Sequence, residues 1–344
     1  MTTIIPDVTP SDQPVADQPL LNPPPGVGRT VRRRLPPALI ALLLAIALFF
    51  GGGLINPNFV NPQQAIEIMK LAAFLGMIAA GQTLVIISGR EGIDLSIGAI
   101  VTLSAILVVR ISNGQNALIL PALAVALVVG AAIGAVNGLG VTLLGIPPLV
   151  MTLAMSGVVD GLILNVTHGT VAGSMPPLMG TLIASPLIFG IPGVVFIWAI
   201  FGGLMWVLLE RTPYGKRLFA IGVNRTTARL SGLRVNRIVI MTYALSGALA
   251  AFGGFMLLGS TQSVFLNLGS DYLFPSIAAV VVGGTVLAGG AGSYFGTMSG
   301  ALVLTLLESL LIALRLPTAY QSIVLGITLI VLISIYGRQR SING

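Results

Sequence analysis

The sequence predicts an all-α protein that crosses a membrane many times, and two observations support this fold class. Of its 344 residues, 55% are hydrophobic and only 8% are charged, with a mean hydropathy of +1.00. Soluble domains average about 25% charged residues, so this chain has too few charges to cover a water-exposed surface. The apolar residues are also gathered into runs long enough to cross a bilayer.

The chain is predicted to begin with a disordered cytoplasmic tail, residues 1–37. Seven prolines lie among Asp, Thr, Ser and Gln in its first 25 residues. Such a segment cannot bury enough apolar surface to offset the entropy of ordering. The first apolar run is too long for a signal-peptide core and no small-residue cleavage site follows it, so we expect an uncleaved span. The basic flank before this run consists of Arg29, Arg32, Arg33 and Arg34.

A transmembrane domain, residues 38–336, is predicted to follow, with a short C-terminal tail at 337–344. A crossing helix needs roughly 20 apolar residues. The third and eighth candidate spans are short and rich in Gly or polar residues, so each is either a full crossing or a broken helix buried in protein. The ten candidates cover about residues 38–55, 71–88, 93–110, 118–144, 149–167, 192–209, 238–260, 273–288, 294–314 and 319–336.

The distribution of basic residues predicts that both termini are cytoplasmic. With ten spans and the N-terminus inside, all of the 17 Lys and Arg residues except Lys70, Arg110 and Arg315 fall on the cytoplasmic side. Positive residues are retained in cytoplasmic loops, so this distribution favours an even number of spans.

Two short segments resemble each other and suggest an inverted repeat of spans 2–5 and 7–10. Residues 96–101 (SIGAIV) open the third span, and residues 276–281 (SIAAVV) open the eighth. An offset of five spans reverses the orientation, which is the geometry of an inverted repeat. Chance similarity between apolar segments stays an equal alternative.

Two sets of glycines are spaced four residues apart, which places each set on one helix face. Such faces let two backbones approach closely inside a membrane. Packing within one chain is favoured, and a dimer or gating seam is the alternative. The sets are Gly130, Gly134 and Gly138 in the fourth span, and Gly292, Gly296 and Gly300 in the ninth.

A few polar residues inside the apolar runs are candidates for lining a solute pathway. A charge in the hydrocarbon core costs roughly 2.5–3.5 kcal/mol on insertion scales, so it should face a cavity or a partner group. Structural pairing is the alternative, and for Asp94 the capping of a helix start is favoured. The candidates are Asp160, Asn137, Asn165, Gln82, Asp94 and Glu308.

Several kinds of function have no support in the sequence. The chain has no cysteine and one histidine, so we predict no metal site. No nucleophile is paired with a base, so we predict no catalytic residues and no enzyme activity in this chain alone. The glycine-rich run at 283–292 lacks the lysine of a phosphate-binding loop, so no cofactor is expected on this chain. The cations cluster beside the spans, which indicates that the chain contacts membrane lipid rather than nucleic acid.

A polar, basic segment at residues 210–237 is the most distinctive feature of the chain. Only Glu210 is acidic there. We expect this coupling loop to lie in the cytoplasm and to contact a soluble partner. Its seven cations are Arg211, Lys216, Arg217, Arg225, Arg229, Arg234 and Arg237.

Four stretches, in one order over about residues 60–336, carry a resemblance to a known family. They are 92–98 (GIDLSIG), 146–153 (IPPLVMTL), 212–232 within the coupling loop, and 277–292 (IAAVVVGGTVLAGGAG). They resemble sugar-type ATP-binding-cassette importer permeases, the ribose, xylose and galactose group, which is related to the branched-chain amino-acid permeases. The chain departs from the usual pattern at Arg90-Glu91, which looks like an insertion, at Asp160, and at Val223.

The resemblance implies a permease for a sugar or related polyol in a bacterial inner membrane. It implies a second permease chain, in a homodimer, together with a periplasmic solute-binding protein and cytoplasmic ATPase subunits that bind ATP and Mg²⁺. Part of the coupling loop would form a short helix that docks into the ATPase, with its small residues allowing close approach. The residues expected to couple are Gly215, Lys216, Arg217, Ala220, Gly222, Asn224, Arg225, Ala228, Arg229, Ser231 and Gly232.

Two other functions are weaker alternatives. An ion-coupled secondary transporter would use Asp160 and Glu308 as coupling sites, but no relay partner is evident for either. A scaffold or receptor without transport would use the tail from Asp7 to Arg34 as its working part.

Overall fold

The computed structural model describes residues 35–330 apart from positions 318, 325 and 329. Most of the predicted N-terminal tail with its basic flank, the end of the tenth apolar run and the C-terminal tail lie outside these residues. Within them the chain is a helical membrane protein with one short β-hairpin. Seven of the described helices are long and apolar enough to cross a membrane.

The helices follow the predicted runs along the chain. The first five are α1 (Pro37–Ile55), α2 (Pro62–Ile87), α3 (Ile97–Ser112), α4 (Ile119–Leu143) and α5 (Pro148–Thr167). A connecting segment contains α6 (Pro177–Ile183) and the antiparallel strands β1 (Pro186–Ile188) and β2 (Ile191–Pro192). The remaining helices are α7 (Gly193–Trp206), α8 (Pro213–Val223), α9 (Arg225–Leu230), α10 (Val235–Thr261), α11 (Leu273–Val282) and α12 (Tyr294–Ala313), before an apolar helix at Ala319–Thr328.

Prolines and capping side chains define several helix starts. Pro37, Pro62 and Pro148 occupy the first helical positions, where the fixed φ of proline suits a helix. Asn61 caps α2 by accepting a hydrogen bond from the backbone N–H of Gln64 at 2.8 Å. These residues convert apolar runs into helices with definite beginnings.

The predicted start of the second span, near residue 71, is wrong. α2 begins at Pro62, so Lys70 lies within the helix. Lys70 Nζ lies 2.9 Å from Glu67 Oε1, an i, i+3 pair on the helix surface. A boundary drawn from apolar residues alone misses these first turns because they carry a compensated charge pair.

The third and eighth predicted spans are short helices. α3 has 16 residues and α11 has 10. At 1.5 Å per residue they extend about 24 and 15 Å, less than the roughly 30 Å hydrocarbon core. Irregular backbone extends them, at residues 88–96 before α3, where most residues are buried, and at residues 283–292 after α11, where most are half-buried. The count of ten crossings therefore stays a prediction.

The centre of the molecule is built from α2 and α10. In the most apolar window of α2, 89% of the residues are buried, against 17% in α1. α10 packs against α2, α3 and α4, while α2 also packs against α11 and α12. The outer helices expose large apolar side chains on the side away from this core, as helices facing lipid do.

Five of the six predicted packing glycines lie on helix faces against other helices of the same chain. A Cβ at Gly134 would overlap the carbonyl oxygen of Tyr243 in α10, and one at Gly300 would overlap that of Ala279 in α11. Gly292 is different, because Ser293 caps α12 and leaves Gly292 in the preceding loop. Its assignment to the helix face is wrong. The other members, Gly130 and Gly138, face α10, and Gly296 faces Gly283.

Replacing Gly134 by alanine is expected to destabilise the protein by about 1–3 kcal/mol, because the added methyl group meets backbone that cannot rotate away. The measurement is thermal unfolding of the detergent-solubilised protein. Gly203→Ala in α7 is the matched control, since a Cβ there meets no atom within 4 Å. Equal unfolding temperatures for the two variants would contradict close α4–α10 packing.

Candidate functional site

The coupling loop contains two short helices, α8 and α9. Thr212 caps α8, because its Oγ1 accepts a hydrogen bond from Gly215 N at 3.3 Å. Asn224 caps α9 in the same way, with its Oδ1 3.0 Å from Thr227 N. The chain therefore changes direction at Asn224, and the two helices can present different faces to a partner.

α8 is attached firmly to the membrane helices. Leu218 and Ile221 are buried, and Tyr214 Oη lies 2.9 Å from Thr242 Oγ1 in α10. Burial raises the pKa of Tyr214 to about 12, so the phenol stays neutral at physiological pH and keeps this hydrogen bond. α8 and α10 are therefore directly connected.

At its C-terminal end α8 meets two other segments in what we call the glycine junction, formed by Gly89, Gly222 and Gly290. The backbone N–H of Gly290 donates to the carbonyl of Ile87 at 2.9 Å. A Cβ at Gly222 would overlap both Ile87 O and Gly290 N, and one at Gly89 would lie 2.9 Å from Gly222 O. The end of α8 thus touches both irregular segments that extend α3 and α11.

The predicted coupling residues divide into two groups. Gly215 and Ala228 are buried within the chain, and Gly222 lies in the glycine junction, so their small size serves internal packing. Gly215 and Ala228 are therefore not available at the surface, whereas Gly222 is half-buried; that these residues couple the chain to a partner stays a prediction. The exposed members are Lys216, Arg217, Ala220, Asn224, Arg229, Ser231 and Gly232.

Arg225 lies between these groups. It is half-buried, and its guanidinium donates to the carbonyls of Ser88 and Gly89, each at 3.3 Å. Burial lowers the pKa of this guanidinium, and the positive charge of Arg90 lowers it further. Arg225 therefore connects α9 to the segment that follows α2.

Three of the predicted pathway residues, Gln82, Asp94 and Asn137, meet in one buried polar network. Asp94 Oδ1 accepts hydrogen bonds from Ser96 N at 3.0 Å and Ser96 Oγ at 2.6 Å, and Oδ2 accepts one from Ser246 Oγ at 3.0 Å. Gln82 Oε1 accepts from Asp94 N at 3.2 Å. Asn137 Nδ2 donates to Ser96 Oγ at 2.9 Å.

This network joins α2, α4 and α10 at the start of α3. Thr152 extends it to α5, because its Oγ1 accepts a hydrogen bond from Leu95 N at 3.0 Å. Ser96 has a sequence signal, since it follows Asp94 at the spacing of an Asx turn. Ser246 and Thr152 have none, and the sequence reasoning missed both.

The other pathway candidates, Asp160, Asn165 and Glu308, do not join this network. All three are exposed, the first two on α5 and the third on α12. Gly157 and Gly161 lie beside Asp160 on α5, and a Cβ at either would meet no atom within 4 Å. α5 thus presents an open face on which small and polar residues lie among exposed apolar side chains such as Leu153 and Leu164. In the described part of the chain, no group of three or more His, Cys, Asp and Glu side chains is placed to hold a metal ion.

Comparison with known proteins gives consistent matches over nearly the whole described region. Residues 64–333 match the family described as branched-chain amino acid transport system / permease component. The chain is 35% identical over 305 residues to the ribose import permease protein RbsC of Bacillus subtilis, covering 88% of this chain and 92% of that protein. The Escherichia coli K12 protein of the same name is 35% identical over 309 residues, covering 88% and 94%.

A relative with a different name is almost as similar. The autoinducer 2 import system permease protein LsrC of Yersinia enterocolitica is 34% identical over 300 residues, covering 87% of this chain and 82% of that protein. No solved structure matches the chain. The family match spans well over half of the sequence, and the chain is a multi-pass protein of the bacterial inner membrane. It belongs to the family of branched-chain amino acid transport system permease components.

Proposed function

We propose that the chain is the membrane-spanning subunit of an ATP-driven importer for a sugar or related polyol. Relatives named as ribose and autoinducer 2 import permeases support this function, and they give no support to the ion-coupled alternative. ATP and Mg²⁺ would be bound by a separate cytoplasmic ATPase, and a periplasmic binding protein would deliver the solute.

The glycine junction is the observation that carries this proposal. The end of α8 contacts the segments that follow α2 and α11, and each segment extends one of the short helices. An ATPase that moves α8 and α9 would therefore displace both short helices together. A permease that is driven by a separate ATPase subunit needs such a mechanical connection.

The open face of α5 is the proposed wall of the solute pathway. Gly157 lies three residues before Asp160 and four before Gly161, and Asn165 lies four after Gly161, so the four residues are on one side of the helix. An exposed carboxylate within a membrane helix is costly unless it faces water or a partner group. We therefore place this face at the interface with a second permease copy, where Asp160 and Asn165 would accept and donate hydrogen bonds to solute hydroxyls.

We further propose ten crossings with both termini in the cytoplasm. Seven long helices and three shorter apolar ones support that number. An inverted repeat agrees with the packing, because α2 contacts α11 and α12 while α10 contacts α3 and α4.

A cysteine at Ser231 is expected to react with a membrane-impermeant maleimide only from the cytoplasmic side, because the coupling loop is basic. The natural chain contains no cysteine, so the introduced thiol is unique. Thr170→Cys, after α5, is the matched variant and should react only from the periplasmic side. Labelling of Ser231→Cys from the periplasm would refute the proposed orientation.

Reconstitution tests the function itself. The chain is placed in vesicles with its proposed ATPase and binding-protein partners, and uptake of radiolabelled ribose and related sugars is measured. We expect uptake that requires ATP and all three components. Uptake by the chain alone under a proton or sodium gradient would overturn the proposal.

A further inference from the structure

A basic pocket opens between α8, α9 and the segment that follows α2. Its volume is about 400 Å³, within the range of pockets that hold a side chain or a small ligand. Three of its lining residues are arginines, namely Arg90, Arg225 and Arg229, and no acidic residue lines it. Because a guanidinium is always charged in proteins, the pocket concentrates three positive charges.

These charges have no counter-ion among the described residues. The salt bridge found there joins Lys70 to Glu67 in α2. Glu91 follows Arg90 directly, but it lines a second pocket, of about 280 Å³ beside Pro147, which Arg90 also lines, and it forms no salt bridge with Arg90. The positive charges of Arg90 and Arg229 both lower the pKa of Arg225, after the larger effect of burial. The cluster therefore repels itself and favours an anionic partner.

The three arginines are held in place by different means. Arg225 is anchored through its hydrogen bonds to Ser88 and Gly89, and its Nε is buried without a hydrogen-bond partner in the described part of the chain. Arg229 follows it by one helical turn, so the two extend from one face of α9. Arg90 has a left-handed backbone, with φ of 58°, immediately after the segment that Arg225 holds.

The surroundings of the pocket favour a protein over a free anion. Val223, which lines it, is 73% exposed, and Leu230 at the end of α9 is 85% exposed. A small anion would leave these apolar side chains in water. A protein surface would cover them with apolar contacts and place one acidic group in the centre.

We propose that this pocket receives an Asp or Glu side chain of the partner ATPase, held by charge-assisted hydrogen bonds from Arg90 and Arg229. This inference rests on the proposed function. It adds a contact outside the coupling loop, because Arg90 belongs to the segment between α2 and α3. The ATPase would then contact that segment directly, in addition to its contacts with α8 and α9.

The test measures the affinity of the purified cognate ATPase for the permease in nanodiscs. In the variant Arg90→Glu/Arg229→Glu, affinity is expected to fall at least about tenfold, because a buried charge pair becomes a repulsion. Arg234→Glu/Arg237→Glu is the matched control, with the same change of charge at two exposed residues of the loop outside the pocket. Its affinity is expected to fall less than about threefold. Arg225 stays unchanged because it holds the backbone of Ser88 and Gly89.

Charge reversal on the ATPase provides the second arm. Replacing the Asp or Glu of the ATPase that enters the pocket by lysine should weaken binding to the wild-type permease. The same replacement should restore binding to the Arg90→Glu/Arg229→Glu variant. Equal losses in the two permease variants would mean diffuse attraction and would overturn the proposal. Unchanged ATPase affinity in the Arg90→Glu/Arg229→Glu variant would also overturn the proposal. If inorganic phosphate then stabilised the wild-type permease but not this variant, the pocket would bind a free anion instead. If the wild-type permease binds no ATPase, the proposed function itself fails, which is a different result.

Discussion

Replacing Gly222 by alanine is expected to lower solute uptake at least about tenfold while the protein still inserts into the membrane. The new methyl group would overlap Ile87 O and Gly290 N, two backbone atoms that are hydrogen-bonded to each other. Backbone cannot move aside as a flexible side chain can, so we expect about 1–3 kcal/mol of strain. Every 1.4 kcal/mol corresponds to a factor of ten in an equilibrium. The strain separates α8 from the two segments that it is expected to move.

Uptake and ATP hydrolysis are measured together in reconstituted vesicles, so that uncoupling appears as hydrolysis without transport. Gly203→Ala in α7 is the comparison, because a Cβ there meets no atom within 4 Å and the residue lies outside the coupling loop. A variant at Gly222 that transports as well as the Gly203 variant would refute the role of the glycine junction.

Replacing Asp94 by alanine is expected to cause the largest loss of stability among the predicted polar residues. The backbone N–H of Ser96 and the hydroxyl of Ser246 would both lose their acceptor in the interior. Each buried group left without a partner costs about 1–3 kcal/mol. Asp94→Asn should be intermediate, because the amide keeps one acceptor oxygen but turns an NH₂ group toward a hydrogen-bond donor.

Thermal unfolding in detergent measures this effect, and Asp160→Asn is the matched control. The chemical change is the same, but Asp160 is exposed on α5. We expect its unfolding temperature to stay at the wild-type value while uptake falls, because a pathway residue contributes to passage rather than to packing. The reverse pattern, a stable Asp94 variant and an unstable Asp160 variant, would contradict both assignments.

The helices could be predicted from the sequence where hydrocarbon thickness determines their length. α1 and α5 begin at Pro37 and Pro148, each within one residue of the predicted boundary, because proline marks a helix start. α2 was cut short because Glu67 and Lys70 interrupt the apolar run while stabilising the helix. In the same way, Gly292 has the spacing of a packing residue, but the cap at Ser293 excludes it from α12.

The site could be predicted only in part. Gln82, Asp94 and Asn137 are recognisable as polar residues in apolar segments, but only tertiary packing brings them to one point. The small residues of α8 indicate a close contact, yet not which surface they contact. Gly222 meets Ile87 and Gly290, which are distant along the chain, and a single sequence carries no information about such pairs.

The attachment of Arg225 to the carbonyls of Ser88 and Gly89 has a practical consequence. Glu91 lies next to this attachment and is exposed, and the chain has no native thiol. The fluorescence of a dye attached to the variant Glu91→Cys would therefore change when the ATPase moves α9. Turnover could then be followed in real time on the permease itself, without a labelled sugar.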